Sequence, residues 1–173
     1  MLDIGTGGGE RFLELAAEFG NGVGIDFDPE MLQVARENAD KQSASHVSFG
    51  SIDARHLRFP DRSFDVVLNR HAPTEVAEIV RVLRPGGVFI TQQVGRRNTA
   101  NIHSVFGFDP TVEWPEDFHD VHVRARVFSR ADCEVTEVRR VRRRLPVPRC
   151  GVFRVLAQGR ADAFRSRTPL ARG

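Results

Sequence analysis

The chain of 173 residues is 40% hydrophobic, which suits one globular domain and excludes a wholly disordered one. No apolar run approaches the roughly 20 residues of a membrane-spanning helix. The opening MLDIGTGGGE lacks the pattern of a secretory leader, and two cysteines (Cys133 and Cys150) are too few for a disulfide framework, so a reducing, cytoplasmic setting is expected.

The net charge of +2 conceals a split. Residues 1–138 carry 14 basic and 22 acidic side chains, a balance of −8. Residues 139–173 carry 11 arginines and one acid, Asp162, a balance of +10. The chain therefore reads as an acidic body with a basic tail.

In chain order, Leu2-Asp3-Ile4 is a short apolar strand that runs into Gly5-Thr6-Gly7-Gly8-Gly9. A helix follows, with Phe12, Leu13, Leu15, Ala16 and Phe19 on one face and Gly20 as its stop. Glycines let a backbone approach a ligand closely, and a helix start directs amide N–H groups toward it. Gly22 to Asp26 is a second strand. Asp28 caps a helix that begins at Pro29 and runs to about Lys41, with Met31, Leu32 and Ala35 inward. His46–Phe49, Ser63–Leu68 and Val88–Thr91 are three more strands, with a helix from Val76 to Leu83 stopped by Pro85 and Gly86-Gly87. Strands alternating with helices at this spacing predict an α/β fold with a parallel sheet covered on both faces.

A glycine loop by itself admits two ligand classes. Dinucleotide sites want a third glycine at the sixth position, where this chain has Glu10. The pattern Asp3-x-Gly5-x-Gly7-x-Gly9 instead sets an acid before the loop, which suits a cationic ligand without a pyrophosphate. Asp26, at the end of strand two, is placed to accept from two ribose hydroxyls in either class.

Four segments taken together resemble class I S-adenosylmethionine-dependent methyltransferases of the small "type 11" sort: LDIGTGGGE (2–10), VGIDFDPEML (23–32), SIDARHLRFPDRSFDVVLNRHA (51–72) and VRVLRPGGVFITQQVG (80–95). The resemblance covers about the first 95 residues. It implies a Rossmann-like, doubly wound, mostly parallel sheet with an irregular or antiparallel C-terminal part. It implies S-adenosylmethionine as cofactor and a small-molecule methyl acceptor, with nucleic acid a less favoured partner and no membrane. By position, Asp3, Gly5, Thr6, Gly7 and Gly9 would hold the methionine part and Asp26 the ribose. Phe27 and Met31 would line the adenine side, and Asp53 and Ala54 would meet the adenine amino group. Asn69, Arg70 and His71 would sit just past strand four on the acceptor side, with Asn69 also counted among the cofactor-binding residues. His71 is the candidate general base, because histidine titrates near neutrality. No Asn-Pro-Pro-Tyr type motif follows strand four, which leaves methylation of base or amide nitrogens without direct support.

Three departures from the family pattern are expected to matter. Only one residue precedes the first strand, so the start reads as truncated. After Gly95 the acceptor-shaping region is altered, with strands expected at Val121–Phe128, Cys133–Val138 and Val152–Leu156. Trp114 is equally a lid over the acceptor or surface packing. His119-x-x-His122, beside Asp117 and Asp120, reads as an acidic loop rather than a metal site. The methyltransferase domain is drawn as 1–138 and residues 139–173 as a poorly ordered Arg-rich tail. That tail is a passive segment, a nucleic-acid arm or an out-of-frame translation.

Overall fold

A computed structural model describes residues 1–95, 120–143 and 150–159, with side chains through residue 140. Strands β1 (Leu2–Ile4), β2 (Gly22–Asp26), β3 (Val47–Ser51), β4 (Phe64–Arg70) and β5 (Leu83–Val94) alternate with helices α1 (Glu10–Ala16), α2 (Pro29–Lys41) and α3 (Val76–Val82). Helix α4 (Val121–Arg130) and strands β6 (Cys133–Arg143) and β7 (Cys150–Gly159) follow. The seven strands form one sheet in the order β3-β2-β1-β4-β5-β7-β6. β1 to β5 run parallel, and β7 lies antiparallel to both β5 and β6. The expected fold class is therefore present, including its antiparallel end.

Two cores cover the sheet. Leu2, Ile4, Ile25, Val67 and Phe89 share one with Ile79, Val82 and Phe128. Leu68 joins Met1, Phe12 and Ala16 in the other. Side chains alternate across a strand, so Leu2 and Ile4 face the first core while Asp3 faces the side of the second. The strand order reverses at β1, with β2 on one side and β4 on the other. A doubly wound sheet opens a crevice at such a point, outside the carboxyl ends of the strands.

Helix α2 matches its sequence signals closely. The Asp28 carboxylate accepts from the Glu30 and Met31 amides, and Pro29 opens the first turn. Leu32 and Ala35 are buried as expected, but Met31 is 39% exposed. Helix α1 is shorter than expected. It ends at Ala16 and leaves Leu15 and Phe19 exposed, because the last apolar residues lie beyond its single buried stripe. β5 starts at Leu83 rather than Val88, since the backbone turns extended there and Leu83 pairs with Phe64.

The C-terminal third departs further. Val121–Phe128, read as a strand, is a helix. The Asp120 carboxylate caps it by accepting from His122 and Val123, and Val121 and Phe128 are buried two turns apart. Apolar residues seven apart fit a helix face as well as Val121-x-Val123 fits a strand, and the cap decides between them. Phe128 packs on Phe89 of β5 with ring centroids 4.8 Å apart.

The boundary drawn at residue 138 falls inside β6, and residues 150–159 form β7 between β5 and β6. An edge strand tolerates charge because one side meets water, and this hid the strand within an arginine run. Arg139 pairs with Glu137 at 3.4 Å and Arg140 with Asp120 at 3.0 Å. His103, Trp114, Asp117 and His119, and the remainder of the tail, lie outside the described residues. Among the described residues no group of acids, histidines and cysteines could hold a metal, and no helix is long and apolar enough to cross a membrane.

Candidate functional site

The glycine loop leaves the carboxyl end of β1 and is tied to β2. The Gly5 and Thr6 amides donate to the Ile25 carbonyl at 2.9 and 3.0 Å. Gly5 adopts a φ of +75°, and a Cβ there would sit 2.7 Å from that of Ala72, so conformation and space both demand glycine. Gly7 also has positive φ, but a Cβ on it would meet no atom within 4 Å. At Gly7 the loop thus presents bare backbone to open space. Asn38 of α2, which the sequence reading passed over, donates to the Gly8 carbonyl at 2.8 Å and steadies the far side of the loop.

Asp26 is half-buried at the end of β2. One carboxylate oxygen accepts from the Gly7 amide at 2.9 Å and the other from the Asp28 amide at 3.1 Å. The carboxylate is therefore oriented before any ligand arrives. Phe27, next to it, is 83% exposed. With the partly exposed Met31, it lays an apolar surface beside Asp26. Across the β2–β3 edge, the Ile52 amide donates to the Asp26 carbonyl at 3.3 Å. Asp53 follows, exposed, with Oδ1 accepting from the Arg55 amide at 2.9 Å.

The segment beyond Asp53 and Ala54 is pinned from α3. Arg81 donates to the Leu57 and Phe59 carbonyls at 2.6 and 2.7 Å and to Asp61 at 2.9 Å. Glu78 holds the same guanidinium twice, at 2.8 and 2.9 Å, and accepts from the Leu57 amide at 2.8 Å. The hydrogen bond from Arg81 holds the Glu78 carboxyl below the usual range, and this pairing raises Arg81 in turn. Neither residue was anticipated. Their signal is an acid and an arginine three apart on a short helix.

Asp3 is fully buried, with 0% exposure. Burial pushes its carboxyl up, against the opposing effect of Arg70. The Arg70 guanidinium approaches Asp3 Oδ2 at 3.4 Å. Asp3 Oδ1, Thr6 Oγ1 and Arg70 Nε are buried without a hydrogen-bond partner. Orphaned buried polar atoms are rare, and three of them cluster beside one glycine loop, where Thr6 as well as Arg70 opposes the effect of burial on Asp3.

Strand β4 extends two residues past its expected end, so Asn69 and Arg70 belong to it and only His71 lies beyond. Asn69 pairs with Ile4 in register and therefore faces away from Asp3. Its amide is committed: Nδ2 donates to the Pro73 carbonyl at 2.8 Å, and Oδ1 accepts from Gln93 at 2.7 Å. Gln93 also donates to the Ala72 carbonyl and the Thr91 hydroxyl, both at 3.2 Å. The signal for this network was a pair of polar residues at the end of a buried strand. His71 is exposed with φ +60°, its amide donating to the Gln92 carbonyl at 3.0 Å. Burial, then the charge of Arg70, lowers its pKa.

A family model described as "Methyltransferase domain" matches residues 1–87. The chain belongs to this methyltransferase family. Phosphoethanolamine N-methyltransferase 2 of Caenorhabditis elegans is 38% identical over 104 residues, 56% of this chain and 24% of that protein. A ubiquinone biosynthesis O-methyltransferase of Cereibacter sphaeroides is 30% identical over 128 residues, 69% of this chain and 51% of that protein. The chain thus spans about half or less of the curated relatives it matches. A solved structure from Methanosarcina mazei, described as a SAM-dependent methyltransferase, superposes with a TM-score of 0.72 over 92% of this chain and 91% of that one, at 20% identity.

The cofactor of this methyltransferase domain is S-adenosylmethionine. The unpartnered Asp3 Oδ1 and Thr6 hydroxyl, the open space over Gly7 and the pre-oriented Asp26 fit it.

Proposed function

We propose that the protein transfers a methyl group from S-adenosylmethionine to a small-molecule acceptor. The observation that carries the reading is the set of orphaned polar atoms under an open glycine loop, beside a carboxylate already oriented by that loop. When bound, S-adenosylmethionine supplies an electrophilic methyl group on a sulfonium. Asp3 Oδ1 and Thr6 Oγ1 accept from the ammonium of its amino-acid end, Gly7 lets that end lie against the backbone, and Gly5 and Gly9 shape the loop by packing on Ala72 and Ala35. Asp26 accepts from the ribose hydroxyls with lone pairs not used by the Gly7 and Asp28 amides. Phe27 and Met31 cover the adenine. Asp53 accepts from its amino group, beside the Ala54 backbone, on a segment held still by Arg81. Asn69 serves the acceptor loop rather than the cofactor, because its amide is spent on Pro73 and Gln93.

Fixing both reactants in line supplies much of the rate of such a transfer. Where the acceptor must lose a proton, the imidazole of His71 takes it on its unprotonated nitrogen. Burial and the charge of Arg70 lower its pKa, a direction that favours the proton-accepting form. The relatives named for phosphoethanolamine and for ubiquinone biosynthesis support a small acceptor. The ion pairs at Arg139 and Arg140 weigh against a free cationic arm at that end of β6.

The test incubates the protein with S-adenosylmethionine and a panel of amines, phenols, thiols and carboxylic acids, and reads S-adenosylhomocysteine by mass spectrometry. Turnover on at least one acceptor is expected. Its rate should fall as pH drops through a value below the usual histidine range, and that limb should vanish in His71→Asn. Cofactor binding with no turnover on any acceptor would instead indicate a non-catalytic binding module.

A further inference from the structure

Arginines with structural roles in this chain are well supplied with partners. Arg81 holds Glu78, Asp61 and two carbonyls at 2.6–2.9 Å. Arg84 holds both oxygens of Asp65 at 2.7 and 2.9 Å. Arg70 differs. Among the described residues its one side-chain hydrogen bond is to Asp3 at 3.4 Å, long for a charge-assisted hydrogen bond of about 2.7–2.9 Å. Its Nε is buried without an acceptor. A guanidinium offers five N–H donors in a planar fork matched to carboxylate and phosphate. The side chain is still 27% exposed, so part of it reaches the surface next to His71.

We propose that Arg70 anchors an anionic group, carboxylate or phosphate, on the methyl acceptor, and that cofactor binding releases it from Asp3 to do so. The inference rests on the reading above, in which the cofactor's ammonium faces Asp3. Asp3 carries one charge. In the free protein it draws Arg70 into a long, poorly formed pair. An ammonium at the unpartnered Oδ1 meets that charge, and the guanidinium is left with its donors unmet beside the candidate base. An anion on the acceptor satisfies them and brings the acceptor to His71. Binding order follows: cofactor first raises the affinity for the anionic acceptor.

The same chemistry has a second source, the carboxylate of the cofactor itself, and the two differ in sign. The test titrates inorganic phosphate into the full chain, free and saturated with S-adenosylhomocysteine, following the His71 and Ala72 amides by NMR. The proposal expects phosphate to bind the loaded protein at least about threefold more tightly than the free protein, a coupling of ordinary size. Arg70→Met should weaken phosphate binding to the loaded protein at least about fivefold, and Arg70→Lys by less. Phosphate affinity that falls on loading, with S-adenosylhomocysteine bound markedly more weakly by Arg70→Met, would assign Arg70 to the cofactor's carboxylate and overturn the proposal. Equal phosphate binding by wild type and Arg70→Met would overturn it too. If S-adenosylhomocysteine fails to bind wild type, the cofactor reading fails separately. Asp3→Asn then tests Arg70 alone: phosphate should bind this variant at least about threefold more tightly than wild type, and no change would remove the anion anchor.

Discussion

Asn69 and Arg70 are neighbours at the end of one strand, and the two faces of the sheet treat them oppositely. On the face of Ile4, Asn69, Thr91 and Gln93 are buried and joined to one another and to the carbonyls of Ala72 and Pro73. On the face of Asp3, one oxygen of a buried acid, a buried hydroxyl and a guanidinium nitrogen are left without partners. A complete buried network stiffens what it touches, whereas an incomplete one costs about 1–3 kcal/mol per unsatisfied group unless a ligand completes it. On the proposed function the first face is scaffold and the second is the binding site. Substitutions on each should therefore separate affinity from stability.

The largest effect is expected at Gly5. Gly5→Ala must adopt a left-handed φ and push against Ala72. Affinity for S-adenosylhomocysteine should fall at least about 100-fold by calorimetry, equivalent to about 2.7 kcal/mol. An affinity within about threefold of wild type would place the ligand elsewhere. On the scaffold face, Gln93→Ala removes a donor shared by Asn69 and Thr91. It should lower stability by about 2–3 kcal/mol in urea titrations.

The smallest effect is expected at Glu78→Gln, about 1 kcal/mol once solvent screening of this partly exposed pair is allowed for. It also carries a pH signature. The Glu78 carboxyl is held below its ordinary value, first by the Arg81 hydrogen bond. Its contribution is therefore present above the unfolded glutamate pKa and lost as pH falls through the folded one. The gap between wild type and Glu78→Gln should be open at pH 7 and close on acidification. A gap independent of pH would show that the ion pair is not its source.

The same contrast explains what the sequence revealed. Residues 2–41 were nearly transparent, because tight loops and helix starts admit few residue types: Gly5 at positive φ, Asp28 as cap, Pro29 in the first turn. The acid expected at the end of β2 lies there, its carboxylate accepting from the Gly7 and Asp28 amides. What stayed hidden depends on contacts distant in sequence. Gln93 meets Asn69 across two strands, and Arg81 meets Leu57 and Phe59 from another element. Met31 was taken as inward from its spacing, yet it lies at the edge of the buried stripe of α2. The C-terminal third misled because charge masked it. The Asp120 cap turned an apparent strand into α4, and the arginine run contained part of β6.

The most direct test titrates S-adenosylhomocysteine into wild type, Asp26→Ala and Gln93→Ala by calorimetry. The account predicts one-site binding to wild type. It predicts binding at least about tenfold weaker, or about 1.4 kcal/mol, for Asp26→Ala. It also predicts affinity within about threefold of wild type for Gln93→Ala at a temperature where that variant remains folded. Absence of binding to wild type, or an Asp26→Ala protein that binds as tightly as wild type, would contradict it.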